Sequence, residues 1–191
     1  MNAELRDYQR QFESLKADAT KLTSGLSDEQ FNWQPSPKRW SVGQCLEHLN
    51  IFGKGTVVPA LDELIANAEK RKLYSDGPFR HGRLGNWIIR FLDAPADKRI
   101  RTAKSFIPPA ELSKAKVMET FLTLQDDFIE RLEHADGLNL AAVKKRLPMP
   151  VWLNLGQWFA FAAAHERRHL RQAKQVVTET NFPNRTAQEV A

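Results

Sequence analysis

Hydrophobic positions recur every three or four residues along four long stretches of the chain. In residues 3–24 they are Leu5, Tyr8, Phe12, Leu15, Ala19 and Leu22. That period marks one face of an α-helix and not the alternation of a strand. Ser24-Gly25 closes this helix. The second stretch carries Leu46, Leu49, Phe52, Val57, Leu61 and Leu64 and runs to about Arg71. The third carries Val117, Phe121, Leu124, Phe128, Ile129 and Leu132, between Ser113 and Asp136-Gly137. The fourth spans Leu155 to Thr178, with Trp158, Ala162, His165, His169, Ala173 and Val176 on one stripe. Arg167, Arg171 and Lys174 fall on its other side, which reads as a solvated face.

Polar residues at the starts support these boundaries. Ser27, Ser41 and Asn154 are each followed three residues later by a glutamine, the spacing of a reciprocal N-terminal cap. Ser27 thus opens a short helical turn before the Pro35/Pro37 connection. Trp40, just ahead of Ser41, is placed to staple onto Cys45. The second helix is costly. Gly43, Gly53 and Gly55 each weaken it by about 1 kcal/mol relative to alanine, and Pro59 is expected to kink it against Gly55. Residues 73–112 form a long connection rich in Gly and Pro, with one short helix near Leu84 to Leu92. Crossing the bundle or walling a site would justify such a length. Residues 138–151 read as a loop.

Four long amphipathic helices with almost no strand pattern predict an all-α four-helix bundle. Residues 1–180 form one domain in this reading, and 181–191 a polar tail. With 191 residues and 42% hydrophobic content the chain can bury a real core. No apolar run approaches the roughly 18 residues that a bilayer requires. The N-terminus shows no signal-peptide core, so a cytoplasmic location is expected. One cysteine, Cys45, excludes a disulfide framework and a multi-cysteine zinc site; it reads as a packing residue. Net charge is +5. The basic clusters at Lys98–Arg101, Lys144–Arg146 and Arg167–Lys174 bring no nucleic-acid motif with them, so they read as solvated faces.

Chemistry enters with the histidines. His165 and His169 stand one helical turn apart on the stripe that should be buried. A single core histidine is ordinarily satisfied by a hydrogen bond. Two on one buried stripe each need partners, and together they can point at one metal ion. His48, one turn after Gln44 on the second helix, borders the apolar stripe of that helix and is the candidate third ligand. Glu166 and Glu47 adjoin ligands in sequence but sit about 100° around their helices. Each reads as a base, a hydrogen-bond acceptor for a ligand, or an ordinary interhelical carboxylate. His81 and His134 read as solvated or structural.

Two motifs carry a resemblance: Trp40-Ser41-x-x-Gln44-x-x-x-His48, and His165-x-x-x-His169-x-x-Gln172. Together, in this order, the chain resembles the DinB/YfiT-like superfamily of metal-dependent enzymes over residues 5–178. The resemblance implies a bundle of up-down-down-up topology with a long crossover between helices 2 and 3. It implies a divalent metal, typically zinc or nickel, held by His48, His165 and His169. It also implies a homodimer and a small-molecule substrate, which in some members is a low-molecular-weight thiol. Three imidazoles leave a coordination position open, which suits thiol transfer or hydrolysis.

Three other readings compete. The first is a non-catalytic, metal-binding, stress-related helical dimer. In the second, His165-Glu166-x-x-His169 matches the zinc-peptidase pattern, with Glu166 as base and Glu189 at a third ligand's distance; but Glu189 lies in the polar tail and no strand precedes the motif. The third is nucleic-acid binding through the arginine face of the last helix.

Overall fold

The computed structural model describes residues 1–75, 78–80, 82–93 and 102–183. The molecule is a four-helix bundle built from α1 (Ala3–Thr23), a broken second rod, α6 (Lys114–His134) and α7 (Leu155–Val177). Short elements are α2 (Asp28–Asn32) and α5 (Gly82–Asp93). The expected caps form. Ser27, Ser41 and Asn154 each accept from the backbone of the glutamine three residues on, and each glutamine side chain returns to the cap. Asn2 caps α1 by accepting from the Leu5 N–H.

Side-chain pairs fix the helix directions. Phe12 packs on Phe128 with centroids 5.0 Å apart, and Lys16 pairs with Asp126 at 2.6 Å, so α1 and α6 are antiparallel. Tyr8 meets Phe159 and Asp18 meets Lys174, so α1 and α7 run the same way. Asn50 donates to the Val117 carbonyl and Arg131 pairs with Asp62, so the second rod and α6 are parallel. Parallel neighbours joined in sequence need a chain that returns along the bundle. Of the segment between Arg71 and Ser113, the described part α5 lies against α7, where Asp93 pairs with Arg167.

The second rod consists of α3 (Val42–Phe52), a π-helical stretch (Gly53–Val57) and α4 (Val58–Lys70). The π-turn is how the rod accommodates Pro59. Val58 N–H reaches back five residues to the Gly53 carbonyl, and Pro59 lies in the first turn of α4, where its missing N–H costs least. A Cβ on Gly53 would sit 2.4 Å from Leu124 Cδ2. The rod therefore presses its backbone against α6 at that point.

Two expectations need correction. Residues 138–151 are not wholly loop: β1 (Lys144–Arg146) pairs antiparallel with β2 (Trp152–Asn154). Three-residue strands, one of them Lys-Lys-Arg, are too short and too polar to show a period. The arginine side of α7 is also not a solvated face. Asp93 of α5 pairs with Arg167 through both carboxylate oxygens, each at 2.9 Å, and Arg171 donates to the Leu92 carbonyl. Periodicity marks these residues as polar but does not show that ion pairs cover them. From Leu155 to Ala164 α7 is buried on every side. The start of the polar tail is docked, with Phe182 edge-on to Trp33 and the Pro183 carbonyl accepting from Gln30. No helix among the described residues is long and apolar enough to cross a membrane.

Candidate metal centre

His48 reaches the centre of the bundle because of how α3 begins. Ser41 Oγ accepts from the Gln44 N–H at 3.0 Å and Gln44 Oε1 accepts from the Ser41 N–H at 3.1 Å. This closes the first turn and sets the phase of the helix, so that position 48 faces α7. Asn154 and Gln157 do the same for α7, with both bonds at 2.9 Å. Since α3 and α7 are antiparallel, His48 arrives beside His165 and His169. Ring centroids lie 5.2 Å (His48–His165), 4.6 Å (His48–His169) and 4.7 Å (His165–His169) apart.

Hydrogen bonds fix two tautomers. His48 Nδ1–H donates to the Phe106 carbonyl at 2.9 Å, and His169 Nδ1–H donates to Gln172 Oε1 at 3.1 Å. A carbonyl oxygen can only accept, so each ring carries its proton on Nδ1 and a lone pair on Nε2. His48 Nε2 lies 3.4 Å from His165 Nε2. One nitrogen from each ring falls within 4.8 Å of the others.

The environment keeps the imidazoles neutral. Burial pushes the His165 pKa down to about 3, and His48 and Arg168 push it the same way. Burial also lowers His48, partly offset by its bond to Phe106, and holds His169 well below its ordinary range. Aromatic rings surround the group: Trp40 lies against His48 and His169, Phe52 against His48 and His165, and Phe161 against His165. The donor set fits a divalent ion. Neutral imidazoles are its ordinary nitrogen ligands, and a tetrahedral ion with bonds near 2.0–2.1 Å separates two ligand nitrogens by about 3.3–3.4 Å.

The other residues singled out from sequence fall elsewhere. Glu166 is 3% exposed, and its Oε1 accepts from Gln125 Nε2 of α6 at 3.0 Å, while Oε2 has no partner. Burial raises its pKa to about 8. Glu47 accepts from Asn50, one turn along α3. Cys45 is fully buried, which pushes its thiol up. His134 is exposed at the end of α6. His81 and Glu189 lie outside the described residues. A groove of about 550 Å³ opens between the π-helical stretch and β1, lined among others by Thr56, Arg146 and Trp158 but by none of the three histidines.

Sequence reasoning missed the Phe106 carbonyl and gave Gln172 no role. Gln172 had a signal, since it lies three residues past His169 on the same face. The carbonyl had none, because it belongs to a backbone 58 residues from its partner.

A helical bundle that gathers three neutral imidazoles from two of its rods is, by construction, a bundle with a candidate metal centre. The chain belongs to the DinB superfamily, whose family model matches residues 11–173. It is 24% identical over 173 residues to the uncharacterized protein YuaE of Bacillus subtilis, covering 86% of this chain and 94% of that one. Its fold is similar to that of YfiT from Bacillus subtilis, described as a probable metal-dependent hydrolase with an unusual four-helix bundle topology. That match has a TM-score of 0.59 and 10% identity, and covers 93% of this chain and 88% of YfiT.

Proposed function

We propose that this protein is a metal-dependent enzyme of hydrolase type that acts on a small molecule, with His48, His165 and His169 as ligands of one divalent ion. The convergence of the three rings, two of them with the Nδ1 proton tied down, carries the reading. Zinc and nickel both accept such a donor set. When bound, the ion would supply Lewis acidity to a substrate held beside the three histidines.

The chain's own groups supply the rest. The Phe106 carbonyl and Gln172 Oε1 hold the two Nδ1 protons and so aim the Nε2 lone pairs inward. Phe52 and Phe161 pack on His165 and cover it in part. Glu166, next to His165 in sequence but bonded to Gln125 of α6, stays the sequence's candidate for moving a proton, and its substitution below tests that role. A cytoplasmic homodimer belongs to the same reading, and light scattering on the purified protein tests the dimer.

Metal analysis of purified wild-type protein and His169→Ala tests the centre. Bound metal in the first and its loss in the second is expected; equal, near-zero metal in both would sink it. An activity screen on metal-loaded protein then separates the chemistry, with esters and amides in one arm and a cellular thiol plus an electrophile in the other. Thiol transfer without hydrolysis would move the assignment to the thiol-transferring members that the sequence resembles. In the same assay, Glu166→Gln that keeps its metal but loses turnover supports the proton carrier; unchanged turnover makes Glu166 a core carboxyl.

A further inference from the structure

We propose that Trp40 is a positioning residue for the centre: its indole braces His48 of α3 and His169 of α7 together and sets the angle between their rings. The inference rests on the metal reading above. The indole centroid lies 4.9 Å from His48 with 46° between planes, and 5.8 Å from His169 with 30°. Apart from the two other ligands, Trp40 is the one aromatic ring against His169 among the described residues.

The tethers at Nδ1 leave a degree of freedom. A hydrogen bond along one edge of an imidazole lets the ring tilt about that bond, and the terminal torsion of histidine is broad. An aromatic face pressed on the ring removes the tilt. Donating to a cation makes an imidazole more positive, and the electron-rich indole face then holds it more strongly.

Trp40 is itself held from two sides. The Ser41–Gln44 cap fixes the backbone that follows it. Just ahead of it, Arg39 pairs with Glu179 beyond the end of α7 at 2.5 Å, and Trp33 packs edge-on to Phe182. The connection bearing the indole is thus tied to the start of α3 and to the chain that follows α7. The tryptophan that precedes the cap of α3 also touches the two rods that supply the ligands.

The test uses Co²⁺ as the probe, read by its affinity and visible absorption, on wild type, Trp40→Phe and Trp40→Leu, with circular dichroism as the control for folding. Trp40→Leu is expected to lose at least about tenfold in Co²⁺ affinity and to change the absorption bands, while Trp40→Phe, which keeps a ring, stays within about threefold of wild type. Wild-type affinity and spectrum in a folded Trp40→Leu overturn the proposal. Should Trp40→Leu not fold, indole emission decides: Co²⁺ is expected to quench wild type strongly and Trp40→Phe much less, and equal quenching overturns it. A wild-type protein that takes up no Co²⁺ overturns the metal reading, and this inference with it.

Discussion

Gln172 accepts the Nδ1 proton of His169 across 3.1 Å, from one turn further along the same helix. The pair makes Gln172 a handle on metal affinity that touches no metal. An imidazole that loses such a partner is freer to rotate and is a weaker donor, and changes of this kind cost about 10–100-fold in affinity. Gln172→Leu is expected to lower zinc affinity by that factor in a calorimetric titration. Since Gln172 is only half-buried, the thermal midpoint of the metal-free protein should hardly move. Affinity equal to wild type would make the hydrogen bond incidental.

The metal-free protein should be most stable near pH 6.5. Burial first, then neighbouring charge, lowers the His165 pKa from 6.5 to about 3, and burial likewise lowers His48 and His169. The folded state therefore binds fewer protons than the unfolded one below pH 6.5. Stability from these groups is complete above that value and is lost as pH falls toward 3. Glu166 acts with the opposite sign. Burial raises it from 4.5 to about 8, so its contribution is complete below 4.5 and is lost as pH rises through 8. Between 4.5 and 6.5 three imidazoles outweigh one carboxyl. Urea midpoints from pH 4 to 9 should trace a dome, and Glu166→Gln should flatten its alkaline side. A profile that kept rising from pH 6.5 to 8 would contradict the raised Glu166 pKa.

Part of this centre could be read from the chain because it is written in spacing. Ser41 with Gln44, and Asn154 with Gln157, announce where α3 and α7 begin, and those starts set which way His48, His165 and His169 face. The long connection after the second rod was legible from its length and its run of Gly and Pro. What could not be read depends on backbone or on covering. The Phe106 carbonyl carries no residue signature. The π-turn at Gly53–Val57 is one of several ways a rod can accommodate Pro59. Arg167 and Arg171 look solvated until Asp93, on a helix from the long connection, is laid over them.

Gly53 and Gly55 share the π-helical stretch, yet replacing each by alanine should have opposite effects. A Cβ at Gly53 would lie 2.4 Å from Leu124 Cδ2 and 3.0 Å from its Cδ1, and Leu124 is fully buried. Overpacking of this kind costs about 1–3 kcal/mol. A Cβ at Gly55 meets nothing within 4 Å. There alanine restricts the unfolded chain and adds about 0.5–1 kcal/mol of stability. Calorimetry should show a lower midpoint for Gly53→Ala and a higher one for Gly55→Ala. A stabilised Gly53→Ala would mean that the rod and α6 do not approach as closely as the structure shows.

Metal should stabilise the folded chain by an amount that the ligand set controls. The three imidazoles converge only when α3 and α7 are packed, so an ion binds the folded state and not the unfolded one. At a free concentration of 100 times Kd, linkage gives about 2.7 kcal/mol. For a chain of this length, about 1 kcal/mol moves the midpoint by roughly 2–4 °C. Zinc or nickel at that ratio should therefore raise the midpoint by roughly 5–11 °C. His48→Ala removes the proposed ligand on α3 and should abolish the shift, while leaving the helical circular dichroism in place. Calcium, which prefers oxygen ligands, should give none. An equal rise in wild type and His48→Ala would place the ion elsewhere on the surface and leave the buried imidazoles without one.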